Sequence, residues 1–431
     1  MSEPLIQENF RVESITVKVS DPNNPENKIK TYLDKDSVSQ FEYREGLLDK
    51  FLKVTLQIAD SNSALSDKLV GMEQFEVVVH DLAHDVKYEF TEESINGPLY
   101  VFQIHDKIIV DSVKILVLEL CRKDAIEGMQ IRVCKKYTSV KAEELAEDIL
   151  KNVLNTKKPY TNVSKSSNTL TFIPPNSRPY DVLFWSKNKY FAGDQKSTAT
   201  GGGYASAGYL FWETYDQYNF KSIDSLAGQT EEKQVYTTGT GVGGNDEYYK
   251  IRDPSFPKSL DMMTDFDRGF YSGTIEFFDV VNCEYKEEPY TLKENFSKWK
   301  TVTGNSTLPS LYSDVLDKGY TRTMALSYND DLFLEPEGET TNSKMLFKET
   351  VTQSVQRMGV FTSQIMQGRV YGNMRLNAGD IINVEFLGAD GGLDKNYSGR
   401  YVIFDVLHIY SKGDEIKLKT DLTLVRDSFG V

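Results

Sequence analysis

The chain has 431 residues, with 49 Lys+Arg against 64 Asp+Glu and a net charge of −15. Such an acidic surface repels phosphate backbones and argues against nucleic-acid binding as the main role, while 39% hydrophobic residues exclude a disordered chain. At roughly 100–200 residues per domain the length predicts two to four domains.

The amino terminus, MSEPLIQENFRVES, has neither a basic lead nor an apolar core, so no signal peptide is expected. No apolar run approaches the roughly 20 residues of a membrane helix; the strongest, residues 107–120, is interrupted by Asp111 and Lys114. Residues 11–121 read as β. Val12, Ile15, Val17 and Val19 alternate with polar residues, as do Val54, Leu56 and Ile58, then Phe75, Val77 and Val79, then Tyr100, Phe102 and Ile104. This is the period of half-buried strands, and their density predicts a small barrel or sandwich. Cys121, Cys134 and Cys283 form no CxxC motif and are expected to be three buried free thiols in a protein made in a reducing cytosol.

Composition changes after Cys121. Thr138 or Ser139 is placed to cap a helix reaching about Leu154, with Glu143 and Glu144 in the first turn, where the helix dipole favours them. Residues 169–173 predict a strand stopped by Pro174 and Pro175. A second helix begins at Pro179, whose missing N–H costs nothing in a first turn. Residues 192–208 (AGDQKSTATGGGYASAG) read as a polar surface loop. Residues 209–226 (YLFWETYDQYNFKSIDSL) predict two strands around a turn at Asp216–Gln217. The β reading returns at 266–281. Residues 291–342 are mixed and polar, and an amphipathic helix is expected over 343–358. The last 70 residues predict strands, with a hairpin across Gly413–Asp414. Residues 44–60 (REGLLDKFLKVTLQIAD) and 268–279 (RGFYSGTIEFFD) share an Arg, a Gly and a strand ending in Asp, the pattern of a duplicated unit.

Few segments carry a chemical motif. Residues 239–244 (GTGVGG) satisfy GxGxxG, but the flanks lack the buried strand and the helix that hold a dinucleotide. His80 and His84 are four apart, as in zinc helices, yet Asp81 replaces the catalytic Glu and the segment lies between two strands. Residues 390–399 (DGGLDKNYSG) lack the alternating ligands and terminal Glu of a calcium loop. The aromatic residues of 209–220 could stack on sugars or bases, but with few basic neighbours they read as strand packing. No catalytic, cofactor-binding or metal residue is therefore expected.

Several phrases in order resemble one family. They are EYREGLLDKFLKVTLQIAD at 42–60, the helix after Ser139, NTLTFIPPNSRPYDVLFWSKNKYF at 168–191, YLFWETYDQYNFKSIDSL, and the strands AGDIINVEF and SGRYVIFDVLHIY. Together they resemble the baseplate hub proteins of T-even-type contractile-tailed phages, related to the hub part of type VI secretion spike proteins. The resemblance implies a mainly β fold with α+β parts: two tube-protein-like antiparallel β-barrels plus α/β accessory domains. It divides the chain into a first barrel at 1–121, an α+β domain at 122–235, a discontinuous second barrel at 236–290 and 357–431, and an inserted α+β domain at 291–356. It implies a non-enzymatic homotrimer in the virion's tail baseplate, a pseudo-sixfold ring joining the sixfold tail tube to the threefold central spike. Implied partners are the spike, the tube or tube-initiator proteins, the tape measure protein and the surrounding wedge proteins, with no cofactor and no membrane anchor. The strands at 42–58 and 381–388 are expected to face partners. The competing readings are a cell-wall or polysaccharide hydrolase and a glycan-binding adhesin of a phage tail.

Overall fold

A computed structural model of the protein describes residues 9–21, 24–61, 65–110, 113–192, 208–230, 235–239, 244–259, 261–279, 283–296, 299–302, 318, 323–327, 333–334, 343–388, 391–414 and 416–427. The first third is a run of strands: β1 (Phe10–Asp21), β2 (Asn24–Tyr32), β3 (Val38–Gly46), β4 (Lys53–Asp60), β5 (Gln74–Asp81), β6 (Val86–Phe90), β7 (Leu99–Val110) and β8 (Val113–Arg122). They pair antiparallel in the spatial order β3-β4-β8-β7-β5-β1-β2, with β6 also on β5. The expected alternation decides which face turns inward: Val54, Leu56 and Ile58 of β4 are buried, as are Phe75, Val77 and Val79 of β5. They share one core with Phe41, Tyr43, Leu116 and Leu118. Burying each such side chain stabilises the fold by about 1.5–3 kcal/mol.

The middle of the chain is α+β. It contains α1 (Lys123–Gln130), β9 (Tyr137–Val140), α2 (Ala142–Glu147), β10 (Asn162–Val163), β11 (Thr169–Phe172), α3 (Pro179–Ser186), β12 (Tyr209–Glu213), β13 (Tyr218–Ser222) and α4 (Ile223–Ala227). The helix expected from Ser139 starts later. Residues 137–140 pair with β11 instead, and Ser139 takes a left-handed φ of 48°. Lys141 then precedes the helix, its backbone N–H donating to Glu144 Oε2 at 3.0 Å, and a π-turn carries it on through Asp148–Val153. Pro179 does open its helix, and β12 and β13 form the expected hairpin.

The remaining elements are β14 (Val235–Thr237), β15 (Arg252–Lys258), α5 (Met262–Asp267), β16 (Ser272–Asp279), β17 (Glu284–Thr291), α6 (Leu292–Phe296), β18 (Thr323–Ser327), β19 (Phe333–Leu334), α7 (Ser343–Phe361), β20 (Gln364–Tyr371), β21 (Ile381–Glu385), β22 (Gly399–Ser411) and β23 (Leu418–Arg426). The hairpin across Gly413–Asp414 forms as expected, with Tyr410 opposite Leu418. Strands β14, β15 and β20–β23 surround a second core that includes Val384, Tyr401, Val406 and Leu424.

Two expectations are corrected. Among the described residues the ladders close into no separate barrels; they form one 14-stranded sheet running from β15 to β2. The reason lies in β22. Its first residues pair with β21, Ile381 lying opposite Val402. A bulge follows between Ile403 and Asp405, and Asp405 to Ser411 then pair with β3. One 13-residue strand thus joins the two halves, and its second half has no edge left for closing a barrel. The presumed repeat also fails. Residues 44–60 lie within this sheet, whereas 268–279 supply β16 of a separate three-stranded sheet, β17-β16-β18. Ile275 and Tyr290 of that sheet pack into the core of the middle region. Most of the loop at 192–208 and of the region at 291–342 lies outside the described residues.

Candidate functional site

The parts meet at a buried polar junction. In β3 the residues Phe41, Tyr43 and Glu45 share the inward face, at 0%, 0% and 1% exposure. The alternation therefore drives a carboxylate into a position where an apolar residue would normally sit. Glu45 Oε1 accepts the Tyr43 hydroxyl and the backbone N–H of Tyr215 at 2.6 Å. Its Oε2 accepts the N–H of Ala378 at 3.0 Å. One side chain thus ties β3, the β12–β13 turn and the segment before β21. Burial pushes its carboxyl up to about 7, against the pull of Tyr43 and the two backbone donors.

Glu213, at the end of the buried run of β12, completes the other side. It accepts from Lys158 Nζ at 2.9 Å, from Arg122 Nη1 at 2.7 Å and from the N–H of Leu52 at 3.1 Å. Burial opposes its charge, but Lys158 and Arg122 hold its carboxyl below the usual range. Burial in turn lowers Lys158 to about 8. Arg122 also reaches Asp124 at 3.1 Å and the carbonyl of Asn96 at 2.7 Å. A few residues away, Trp212 Nε1 donates to the Ala378 carbonyl at 2.9 Å. A second buried pair, Arg357–Asp224 at 3.0 Å, joins α7 to α4.

The described residues of the weighed motifs take part in structural contacts. Asp81 accepts His84 Nδ1 at 2.9 Å and the Met374 N–H at 3.0 Å, while His80 faces Glu13 and Asp85 instead. The two rings therefore serve different carboxylates, and Asp81 and His84 pin the segment before β21. Among the described residues no group of three or more His, Cys, Asp or Glu is arranged for a metal. Of GTGVGG, 240–243 lie outside the described residues; the flanks are the three-residue β14 and a 3₁₀ turn at Gly244–Tyr249. Residues 391–399 form a turn in which Asp394 Oδ1 accepts the Asn396 N–H at 2.9 Å. The rings of Tyr209, Phe211, Tyr218 and Phe220 are all buried, which removes the glycan- or base-stacking reading. Cys121 is buried, but Cys134 and Cys283 are exposed, against the expectation of three buried thiols.

Both edges of β3 and of β4 are taken by neighbouring strands. What 42–58 leaves open is a polar face carrying Glu42, Arg44, Thr55 and Gln57. Arg44 bridges there to Asp405 at 2.7 Å. The junction residues Glu45, Arg122, Lys158 and Glu213 were not singled out by sequence reasoning. Glu45 had a signal, since it follows Phe41 and Tyr43 at period two. Lys158 had none.

The chemistry open to this junction is narrow. Glu45 and Glu213 have their oxygens engaged by donors from several elements, and neither is exposed to a substrate. A recess of about 470 Å³ opens beside it, lined in part by Asn96, Tyr100, Arg122, Asp124 and Lys157, and a second recess of about 560 Å³ is lined in part by Lys187, Tyr209, Lys258, Arg268 and Met358. Its acid, Asp265, is held by Lys258 at 2.9 Å. The arrangement orients parts of a scaffold.

No protein-family model matches the chain, and no curated protein matches it. Solved structures do. A tail protein from Neisseria meningitidis MC58 superposes with a TM-score of 0.55 at 9% identity, over 97% of this chain and 97% of that one. The 43 kDa tail protein of prophage MuSo2 from Shewanella oneidensis superposes with a TM-score of 0.52 at 11% identity, over 96% and 98%. The chain shares their fold from end to end.

Proposed function

We propose that this chain is a non-enzymatic structural subunit of a phage tail baseplate, a hub that assembles as a homotrimeric ring of pseudo-sixfold symmetry between the sixfold tail tube and the threefold central spike. The observation that carries this is the end-to-end match of fold to two tail proteins, with almost nothing left over on either side. The junction is compatible with it: its buried side chains tie β3 to the β12–β13 turn and to the segment before β21. In this reading residues 1–121, and 236–290 together with 357–431, supply the two tube-like surfaces, while 122–235 and 291–356 are accessory. The polar face of β3 and β4 and the strand at 381–388 meet partners. Those partners are the spike, the tube or its initiator, the tape measure protein and neighbouring wedge proteins, all in the virion after synthesis in the host cytoplasm. Among the described residues no helix is long and apolar enough to cross a membrane.

Obligate assemblies of this kind bury thousands of Å². Light scattering of the purified chain, alone and mixed with its spike protein, tests the reading. The expected result is a closed complex with three copies of this chain. A chain that stays monomeric with the spike present would refute the hub.

A further inference from the structure

The chain carries 64 Asp and Glu against 49 Lys and Arg, so a lysine drawn partly out of water without a carboxylate stands out. Two such lysines follow α3. Lys187 and Lys189 are half-buried, and among the described residues neither forms an ion pair. Lys187 Nζ lies 4.5 Å from the centre of the Phe184 ring. Lys189 Nζ lies 4.1 Å from that of Trp185 and donates to the Trp185 carbonyl at 3.2 Å. Ring faces and the carbonyls of a helix end offset part of the cost of such a cation, but they do not neutralise it. Burial accordingly lowers both ammonium groups, Lys189 to about 8.

Around Trp185 the surface is apolar and open. Trp185 is 43% exposed and Ile173 59%, and Phe172 packs on Trp185 with ring centroids 4.7 Å apart. Lys187 also lines the recess of about 560 Å³. The ionisable groups of that lining are three cations, Lys187, Lys258 and Arg268, against the single carboxylate of Asp265, above apolar residues that include Leu210 and Phe270. Lys258 is taken up by Asp265, which leaves the Lys187 ammonium at the recess without a counterion.

A cationic and apolar surface on a chain of net charge −15 complements carboxylates carried beside apolar side chains, and exposed Trp is a common anchor of protein interfaces. We infer that the end of α3 is a docking point for an acidic segment of a partner protein, whose carboxylates pair with Lys187 and Lys189 while an apolar side chain packs on Trp185. A bare inorganic anion would answer the lysines but leave Trp185 and Ile173 uncovered. The inference needs neither the trimer nor the spike. It places a contact on the α+β region that the hub reading treats as accessory, so the two stand or fall separately.

Trp185 supplies the readout, because the other two tryptophans, Trp212 and Trp299, are buried. The probe is a capped pentapeptide with one Leu between two Glu pairs, titrated into the full chain at low salt. It should change the tryptophan fluorescence saturably, with half-saturation below about 1 mM, and shield Trp185 from acrylamide. The double variant Lys187→Gln, Lys189→Gln should raise the half-saturation about tenfold with unchanged far-UV circular dichroism. Lys187→Gln alone, which leaves the Trp185 contact intact, should raise it about threefold and serves if the double variant does not fold. The same peptide with Gln in place of Glu should not bind. An unchanged fluorescence, equal binding of the Gln peptide, an affinity indifferent to these variants, or displacement by inorganic phosphate at matched ionic strength would overturn the inference.

Discussion

Single residues at the junction are under unusual demands. Glu213 is 2% exposed and accepts from two cations. Replacing it with Ala would leave Lys158 and Arg122 buried without their shared partner, and breaking a buried pair in this way typically costs about 3–5 kcal/mol. Urea unfolding of Glu213→Ala should show a loss of that order, larger than for changes at the exposed Lys53. Gly379 is constrained for a different reason. Its φ is +93°, and an added Cβ would lie 2.8 Å from Trp212 Cζ2, the ring whose Nε1 holds the Ala378 carbonyl. Gly379→Ala should destabilise by roughly 1–3 kcal/mol, with the Trp212 fluorescence changing before global unfolding. Both effects come from positions whose residue type alone would suggest a solvated loop.

Among the elements, β22 decides the architecture. Leu407 lies opposite Asp421 of β23 on one side and Arg44 of β3 on the other, so it sits in the interior of the sheet. Proline there removes a ladder donor and cannot be relieved at an edge. Leu407→Pro should separate the two halves, seen as proteolysis of both at concentrations where the wild type resists. The strands and the helix from Pro179 were legible because period-two alternation and a first-turn proline are local signals. The helix start at Ala142 was missed because pairing with β11 outweighs the capping preference of Ser139. The repeat was misjudged because similar strand phrases arise wherever one face is buried, whichever sheet receives them.

For the whole molecule, the trimer with its spike is the decisive prediction, measured by light scattering as described above. The net charge of −15 favours solubility of the free chain, and in the proposed hub the symmetric assembly would depend on extended surfaces rather than on a pocket. The sequence by itself determined that the chain is β-rich with an α+β centre, that it presents no recognisable catalytic frame, and which strand faces turn inward, because each of these follows from short-range pattern. The tertiary structure alone decided that β22 fuses two strand sets into one sheet, and that Glu45, Lys158, Arg122 and Glu213 meet out of water. Pairing partners and burial of charge are set by contacts between residues far apart in the chain, Glu45 with Ala378 and Arg122 with Glu213, and no local periodicity encodes them. A charged residue bound for the interior looks, along the sequence, like one bound for the surface.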